Sequence, residues 1–342
     1  MRGIVIAGGL GTRLRPLTLS RPKPLMPLVN TPLLEYQLTY LKEAGIKEVC
    51  FATNYMADAI EKYFGDGSSL GIKLVYALEK EPLDTGGAIR NAYDVFPGDD
   101  CVIFNGDTIH AFDISAIIRS HRERNADVTL TLREVRRPHP YGVIKINEEE
   151  RVLGFYEPTE EQKRMLSNTG EGSDYINAGL YVINADILEM FPSGRCNVER
   201  EVFPKLISEG KRIYGNIQNA YWIDIGRPSQ YMEAVRAVLN GSVKSPKPFR
   251  KYNSAAIDDD VELHPEAKIS GFSSIGKGVK IEKGAEIIDS IILEETNIGE
   301  GAKVRNSIIG ERSCIGAFSR IENSVLGAQT VVPEYSIIGE VP

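Results

Sequence analysis

The sequence is poor in the residues that mark several protein classes. Its four cysteines, Cys50, Cys101, Cys196 and Cys314, lie far apart with no C-x-x-C pair. In a chain this long, that excludes a disulfide framework and a zinc pattern. Of its four histidines, His110, His121 and His139 have no ligand spacing and His264 stands alone beside Pro265. Excess positive charge is also missing: 40 Lys and Arg face 47 Asp and Glu, a net charge of -7. A nucleic-acid grip needs a basic face, so no nucleic-acid partner is expected, and any bound phosphate must meet a local basic cluster. No apolar run approaches the ~20 residues that span a bilayer. The opening stretch Met1–Ala7 is too short for a signal peptide. These features predict a cytoplasmic protein without a membrane partner.

What is present suits a globular chain: 42% hydrophobic and 25% charged residues over 342 positions, enough for two domains. Short apolar runs alternate with helical patterns in the first part. Strands are predicted at Ile4–Ala7, Glu48–Thr53, Lys73–Ala77 and Cys101–Asn105, with helices at Leu33–Ala44, Ala57–Phe64 and Ala88–Val95 between them. This alternation predicts a Rossmann-like α/β domain with a mostly parallel sheet covered on both faces. Strands at Val128–Leu132, Val143–Ile146 and Gly179–Ile183 are less regularly separated and allow an antiparallel excursion. Pro228 suits the first turn of a helix to about Leu239, and Asn240-Gly241 its stop. The expected division is a catalytic domain over 1–241, a linker over 242–252 rich in proline and basic residues, and a third segment over 253–342.

In that last segment the periodicity changes. Aliphatics recur at Ile257, Leu263, Ile269, Ile275, Ile281, Ile287, Ile292, Ile298, Val304, Ile309, Ile315, Ile321, Leu326, Val332 and Ile338. From Ile275 the spacing is six, six, five, a coil of seventeen residues. Period six is the hexapeptide signature of a parallel β-solenoid, here of about five coils. It resembles left-handed parallel β-helix domains, for which stability and self-association are the plain roles. Hexapeptide solenoids also build acyltransferases, but His264 reads as a solvated corner residue and no long loop interrupts the later coils.

The first strand runs into Ala7-Gly8-Gly9-Leu10-Gly11-Thr12-Arg13-Leu14-Arg15-Pro16, followed by Arg21-Pro22-Lys23-Pro24. Glycines after a buried strand let backbone N–H groups approach phosphate closely. The G-K-[ST] of a Walker loop is absent, and Leu14 occupies the third glycine position of a dinucleotide fingerprint. The string resembles the signature of sugar-phosphate nucleotidyltransferases, G-G-x-G-T-R-L-x-P-L-T followed by P-K-P. The resemblance continues in order through Glu81–Ala88, Asn105-Gly106-Asp107, Tyr141-Gly142-Val143, Asn177-Ala178-Gly179 and Trp222–Gly226, covering about residues 1–240. Glu199–Pro204 and Trp222–Gly226 are most similar to mannose-1-phosphate guanylyltransferases, which also carry a C-terminal left-handed β-helix.

The resemblance implies transfer of a nucleotidyl group from a nucleoside triphosphate to a sugar 1-phosphate, with Mg2+ and release of pyrophosphate. Such chemistry rests on positioning and charge neutralisation. Arg13 would offer its planar fork to the leaving phosphates, Lys23 a compact charge near the reacting ones, and Asp107 and Asp224 the carboxylates for Mg2+. The nucleotide would meet Ala7, Gly8, Gly9, Gly11, Thr12, Arg13, Gly86, Gly87, Asn105 and Gly106, the glycines leaving room for a flat base. The sugar phosphate would meet Tyr141, Gly142, Glu157, Asn177 and Gly179. Asp84 stands where many relatives have glycine. The lysine of the usual E-K-P is also missing after Glu157, which leaves Lys163 or Arg195 to replace it. Glucose, heptose and amino-sugar phosphates, with UTP or dTTP, are the alternative substrates. A non-catalytic nucleotide-sugar sensor is the alternative role, disfavoured because Arg13, Lys23, Asp107 and Asp224 are all present. Self-association as a dimer or tetramer is expected from the solenoid faces.

Overall fold

Arg2–Ile6 is the strand around which the first part of the chain is organised, in a computed structural model that describes residues 1–137, 139–156 and 172–339. It pairs in parallel with Glu48–Thr53 on one side and Cys101–Asn105 on the other, and Glu48–Thr53 pairs in parallel with Lys73–Leu78. These strands are continuous apolar runs because both faces are covered, as parallel sheets require. Ile4, Cys50 and Ile103 are fully buried. The expected antiparallel excursion is present and larger than the sequence suggested. Ser173–Ile183 runs antiparallel to Cys101–Asn105, to Val128–Arg136 and to Val143–Ile146. Val152–Tyr156 and Ile213–Ile217 complete a nine-stranded mixed sheet.

Helix positions follow the apolar periodicity closely. Ala57–Phe64 and Pro228–Leu239 have the expected bounds, and Leu33–Glu43 ends one residue early. Asp113 caps Ile114–Glu123 by accepting the Ala116 N–H at 2.9 Å, as its residue type favours. The stop at Asn240-Gly241 is present, with Gly241 at φ 84°. The last part of the expected linker, Arg250–Tyr252, is instead a strand antiparallel to Ala255–Ile257.

By contacts the chain divides into two units, residues 1–9 with 37–222, and residues 10–36 with 223–342. The second unit contains the solenoid. Its strands form three parallel stacks, in which Ile275, Ile292, Ile309 and Leu326 lie one above another, as do Ile281, Ile298, Ile315 and Val332. Ile287, Val304, Ile321 and Ile338 form the third. All fifteen aliphatics of the hexapeptide pattern belong to one apolar core.

A polar spine runs beside that core. Ser273, Ser290 and Ser307 are fully buried, and each hydroxyl accepts the N–H of the serine one coil later: Ser290 at 3.2 Å, Ser307 at 3.2 Å and Ser324 at 3.1 Å. Each also donates to a carbonyl of its own coil, Ser290 to Ile288 at 2.7 Å and Ser307 to Arg305 at 2.6 Å. Ser290, Ser307 and Ser324 stand at the five-residue step, and Ser273 at the six-residue corner of the first coil. A second ladder joins Thr296, Ser313 and Thr330.

Removing one rung strands a buried N–H. Ser307→Ala is therefore expected to cost about 1–3 kcal/mol of stability, read as a lower denaturant midpoint than that of an exposed control such as Lys277→Ala. A second prediction concerns His110, which is buried against Phe112, with ring centres 4.6 Å apart, and Tyr40 at 4.7 Å. Burial lowers its pKa from 6.5 to about 3. The unfolded chain binds a proton there below pH 6.5 and the folded chain does not until about pH 3. Stability should therefore fall as pH drops through that window, and His110→Phe should flatten the fall.

Candidate active site

In the second unit the phosphate string is shaped by three short turns, Thr12–Leu14, Leu17–Leu19 and Lys23–Leu25. Leu14 and Leu17 are buried and pin the turns, while Arg13 stays exposed. The Arg13 guanidinium lies against Gly226, where an added Cβ would come within 3.0 Å of it. Gly11, at φ 60°, packs over the stem of Lys23, with an added Cβ 3.1 Å from the lysine's own. Only 7% of Lys23 is exposed, and its Nζ stands 3.9 Å from Asp224 Oδ1. The structure thus gathers Gly11, Arg13, Lys23, Asp224 and Gly226, drawn from chain segments 200 residues apart.

The solenoid holds this loop from behind. Arg21 pairs with Glu294, Asn30 Nδ2 donates to the Ile275 carbonyl at 3.0 Å, and Pro16 rests on Gly327. Tyr231 donates to the Pro27 carbonyl at 2.6 Å. None of these contacts is marked in the sequence by a motif; Arg21 lies inside the signature string but shows no sign of its partner 273 residues on.

In the first unit, Ala7 is buried and its N–H donates to Ala52 at 2.8 Å. Gly8 packs against Glu79, an acid the sequence reading did not select, whose pKa burial raises and whose Oε2 accepts the Leu83 N–H at 3.0 Å. An added Cβ on Gly9 would meet nothing within 4 Å. Gly106 donates to the Ile6 carbonyl at 2.8 Å, an approach a side chain would prevent. Asp107 follows it in the turn after Cys101–Asn105, at the carboxyl end of a sheet strand, where α/β folds place their sites. Gly179, at φ 75°, sits over the Asn105 side chain, with an added Cβ 2.7 Å from Nδ2.

Gly86 and Gly87 do not leave the room for a base that was expected of them. Both are buried, and the space beside them is filled by the chain. Each N–H donates to the Cys196 carbonyl, at 2.9 and 3.2 Å, and a Cβ on Gly87 would be 2.2 Å from the Gly194 oxygen. The missing side chains admit a neighbouring strand of backbone rather than a base. Asp84 also gains an account: it adopts φ 58°, a left-handed conformation that glycine takes freely. Here the aspartate supports it by accepting from its neighbour Thr85 at 2.7 Å and from Asn197 Nδ2 at 3.1 Å.

Of the described residues expected at the sugar end, Gly142 lines a cavity of about 340 Å3, together with Val143, Phe155, Tyr156, Asn197, Glu199, Arg200 and Pro204, whereas Tyr141, Asn177 and Gly179 do not. That volume lies in the range of small-molecule pockets. Asn177 reaches the same place indirectly, since its Nδ2 donates to Glu199 Oε1 at 2.8 Å and to the Tyr181 hydroxyl at 2.6 Å. Tyr141 is wedged by Trp222, 5.8 Å away and edge-on, and by His139. His139 and Arg137 both bond Asp174, the arginine through two contacts of 2.6 Å, and Arg137 holds that carboxyl below the usual range. Arg195 is exposed and is not among the residues lining the cavity. Glu157 and Lys163 lie outside the described residues. Glu199 and Arg200 were not among the residues selected from the sequence, although the Glu199–Pro204 string was noticed for its similarity to mannose-1-phosphate guanylyltransferases.

This loop, sheet and solenoid are those of an NTP-using transferase. A family model described as nucleotidyl transferase matches residues 2–241, and one described as GMPPB C-terminal domain matches residues 252–341. The chain belongs to the nucleotidyl transferase family and is a sugar-1-phosphate nucleotidyltransferase. It is 36% identical to a mannose-1-phosphate guanylyltransferase of Mycobacterium tuberculosis over 86% of this chain and 80% of that protein. A probable mannose-1-phosphate guanylyltransferase of Oryza sativa is 32% identical over 87% of this chain and 81% of its own. Among solved structures, HddC from Yersinia pseudotuberculosis complexed with GMP-PN aligns with a TM-score of 0.58 and 30% identity, over 69% of this chain and 98% of that one.

The contact between Arg21 and Glu294 predicts that solenoid residues influence turnover. Glu294→Lys sets like charges together behind the loop and should lower kcat about three- to ten-fold, with little change in melting temperature. An unchanged kcat would show that the loop holds its shape without this pair.

Proposed function

We propose that the chain transfers a guanylyl group from GTP to mannose 1-phosphate, giving GDP-mannose and pyrophosphate. The observation that carries the proposal is the 36% identity to a mannose-1-phosphate guanylyltransferase over 86% of the chain. Placement of Arg13 and Lys23 in one loop beside Asp224 supports it. An oxygen of the acceptor phosphate attacks the α-phosphorus, and pyrophosphate leaves in line. Arg13 takes the charge that develops on the leaving group. Lys23, largely withdrawn from water, keeps its positive charge directed at the phosphates. Backbone N–H groups of the Gly8–Thr12 loop receive the nucleotide, and Asn105-Gly106 and Gly86-Gly87 shape the wall of its site. Tyr141, Gly142, Glu157, Asn177 and Gly179 receive the sugar.

Asp107 and Asp224 are proposed to hold Mg2+. Among the described residues no three His, Cys, Asp or Glu side chains form a closed metal cage. Mg2+ is commonly held by one or two carboxylates together with substrate phosphates, and two hard oxygen donors suit that arrangement. The ion, when bound, neutralises phosphate charge. Among the described residues no helix is long and apolar enough to cross a membrane. A cytoplasmic homo-oligomer, dimeric or tetrameric, completes the reading.

Pyrophosphate release should be measured for several NTPs against several sugar 1-phosphates with Mg2+. The highest kcat/KM is expected for GTP with mannose 1-phosphate, and a different best pair would reassign the substrates. Asp107→Asn should reduce kcat about a hundred-fold or more. Full turnover by that variant would remove the aspartate from the metal site.

A further inference from the structure

The missing lysine after Glu157 leaves the acceptor's phosphate without its usual partner, and the cavity near Gly142 contains a candidate. Among the described residues that line it, Arg200 is the only cation. We propose that Arg200 takes the phosphate of the sugar 1-phosphate while the neighbouring Glu199 accepts from a sugar hydroxyl. This inference rests on the nucleotidyl-transfer reading given above.

The local structure explains how one short segment presents both groups. Asn197 Oδ1 accepts the N–H groups of Glu199 and Arg200, at 3.0 and 2.9 Å, and starts the helical turn Val198–Val202. Val198 and Val202 are buried and fix the turn to the core, so the residues between them face the other way. Glu199 is half-buried and its carboxylate is held by Asn177. Arg200 is exposed at the cavity wall. The cavity therefore has an acceptor group beside a planar five-donor cation. A hexose 1-phosphate has the complementary features, with hydroxyl donors on the ring and a dianion at C1. A guanidinium can meet two phosphate oxygens at once, which a lysine cannot. Arg195, the substitute suggested by the sequence, is separated from this turn by Cys196, whose buried carbonyl is committed to Gly86 and Gly87.

The test is steady-state kinetics of pyrophosphate release for the wild type, Arg200→Ala, Arg200→Lys and Arg195→Ala, with acceptor and NTP varied separately. Arg200→Ala should raise the acceptor KM about ten- to a hundred-fold and leave the NTP KM within two-fold of wild type. Arg200→Lys should recover part of the loss, because a single charge replaces the fork. Arg195→Ala should have the smaller effect. An unchanged acceptor KM in Arg200→Ala overturns the assignment, as does an equal rise in both KM values or a larger effect from Arg195→Ala. A wild type that is inactive with every pair overturns the nucleotidyl-transfer reading, and the inference with it. An active wild type with an indifferent Arg200 overturns the inference alone.

Discussion

A lysine with 7% of its surface exposed must keep its charge compensated, and much of the structure follows from how Lys23 is accommodated. Withdrawing an ammonium from water is costly unless an opposite charge stands near it. Asp224 is that charge, at 3.9 Å, and it comes from the far end of the catalytic sequence. The loop must therefore be held against the segment 223–226. Leu14, Leu17, Pro16 and Arg21 do this by packing inward or onto the solenoid. The same burial keeps Lys23 strong as an electrostatic group, because little water screens it.

The solenoid has accordingly two kinds of work in this chain. Its aliphatic stacks and serine spine make it stable, and its outer surface holds the loop that carries Arg13 and Lys23 by Glu294, the Ile275 carbonyl and Gly327. An appended stability module would not need the second. The contact also explains why residues 10–36 group with residues 223–342 rather than with the sheet their sequence follows.

The fold was largely legible in the sequence. The strands around Arg2–Ile6 are short and wholly apolar, and fifteen aliphatics at period six leave little room for another architecture. The serine spine was missed although Ser273, Ser290, Ser307 and Ser324 stand seventeen apart, because a small polar residue at a corner is ordinary in turns, and only its burial reveals the ladder. Ser173–Ile183 was expected from Gly179 onward, since the polar half around Asp174 and Asn177 lacks strand character and is held by neighbours. At the candidate site, Arg13, Lys23, Asp107 and Asp224 could be picked from the sequence by their chemistry. Glu199 and Arg200 could not, because their place at the cavity wall depends on a cap at Asn197 and a bond from Asn177 that local pattern does not encode. Gly86 and Gly87 were correctly noticed for their lack of side chains, but that lack serves backbone packing.

The six, six, five spacing has a consequence for how such a chain can change length. Each turn of the solenoid closes only if it brings the next aliphatic back beneath the last, and the serine rung fixes the short corner. A residue gained or lost within a strand would put an aliphatic on the outside and a polar group in the core of that coil, whereas one added at the serine corner only lengthens the five-residue step to six. Length changes should therefore be tolerated at a corner, as a lengthened step or a loop, or as whole turns. The first turn, eighteen residues from Ile257 to Ile275 rather than seventeen, has its added residue at that corner, and Ile275 and every later aliphatic stay in the core.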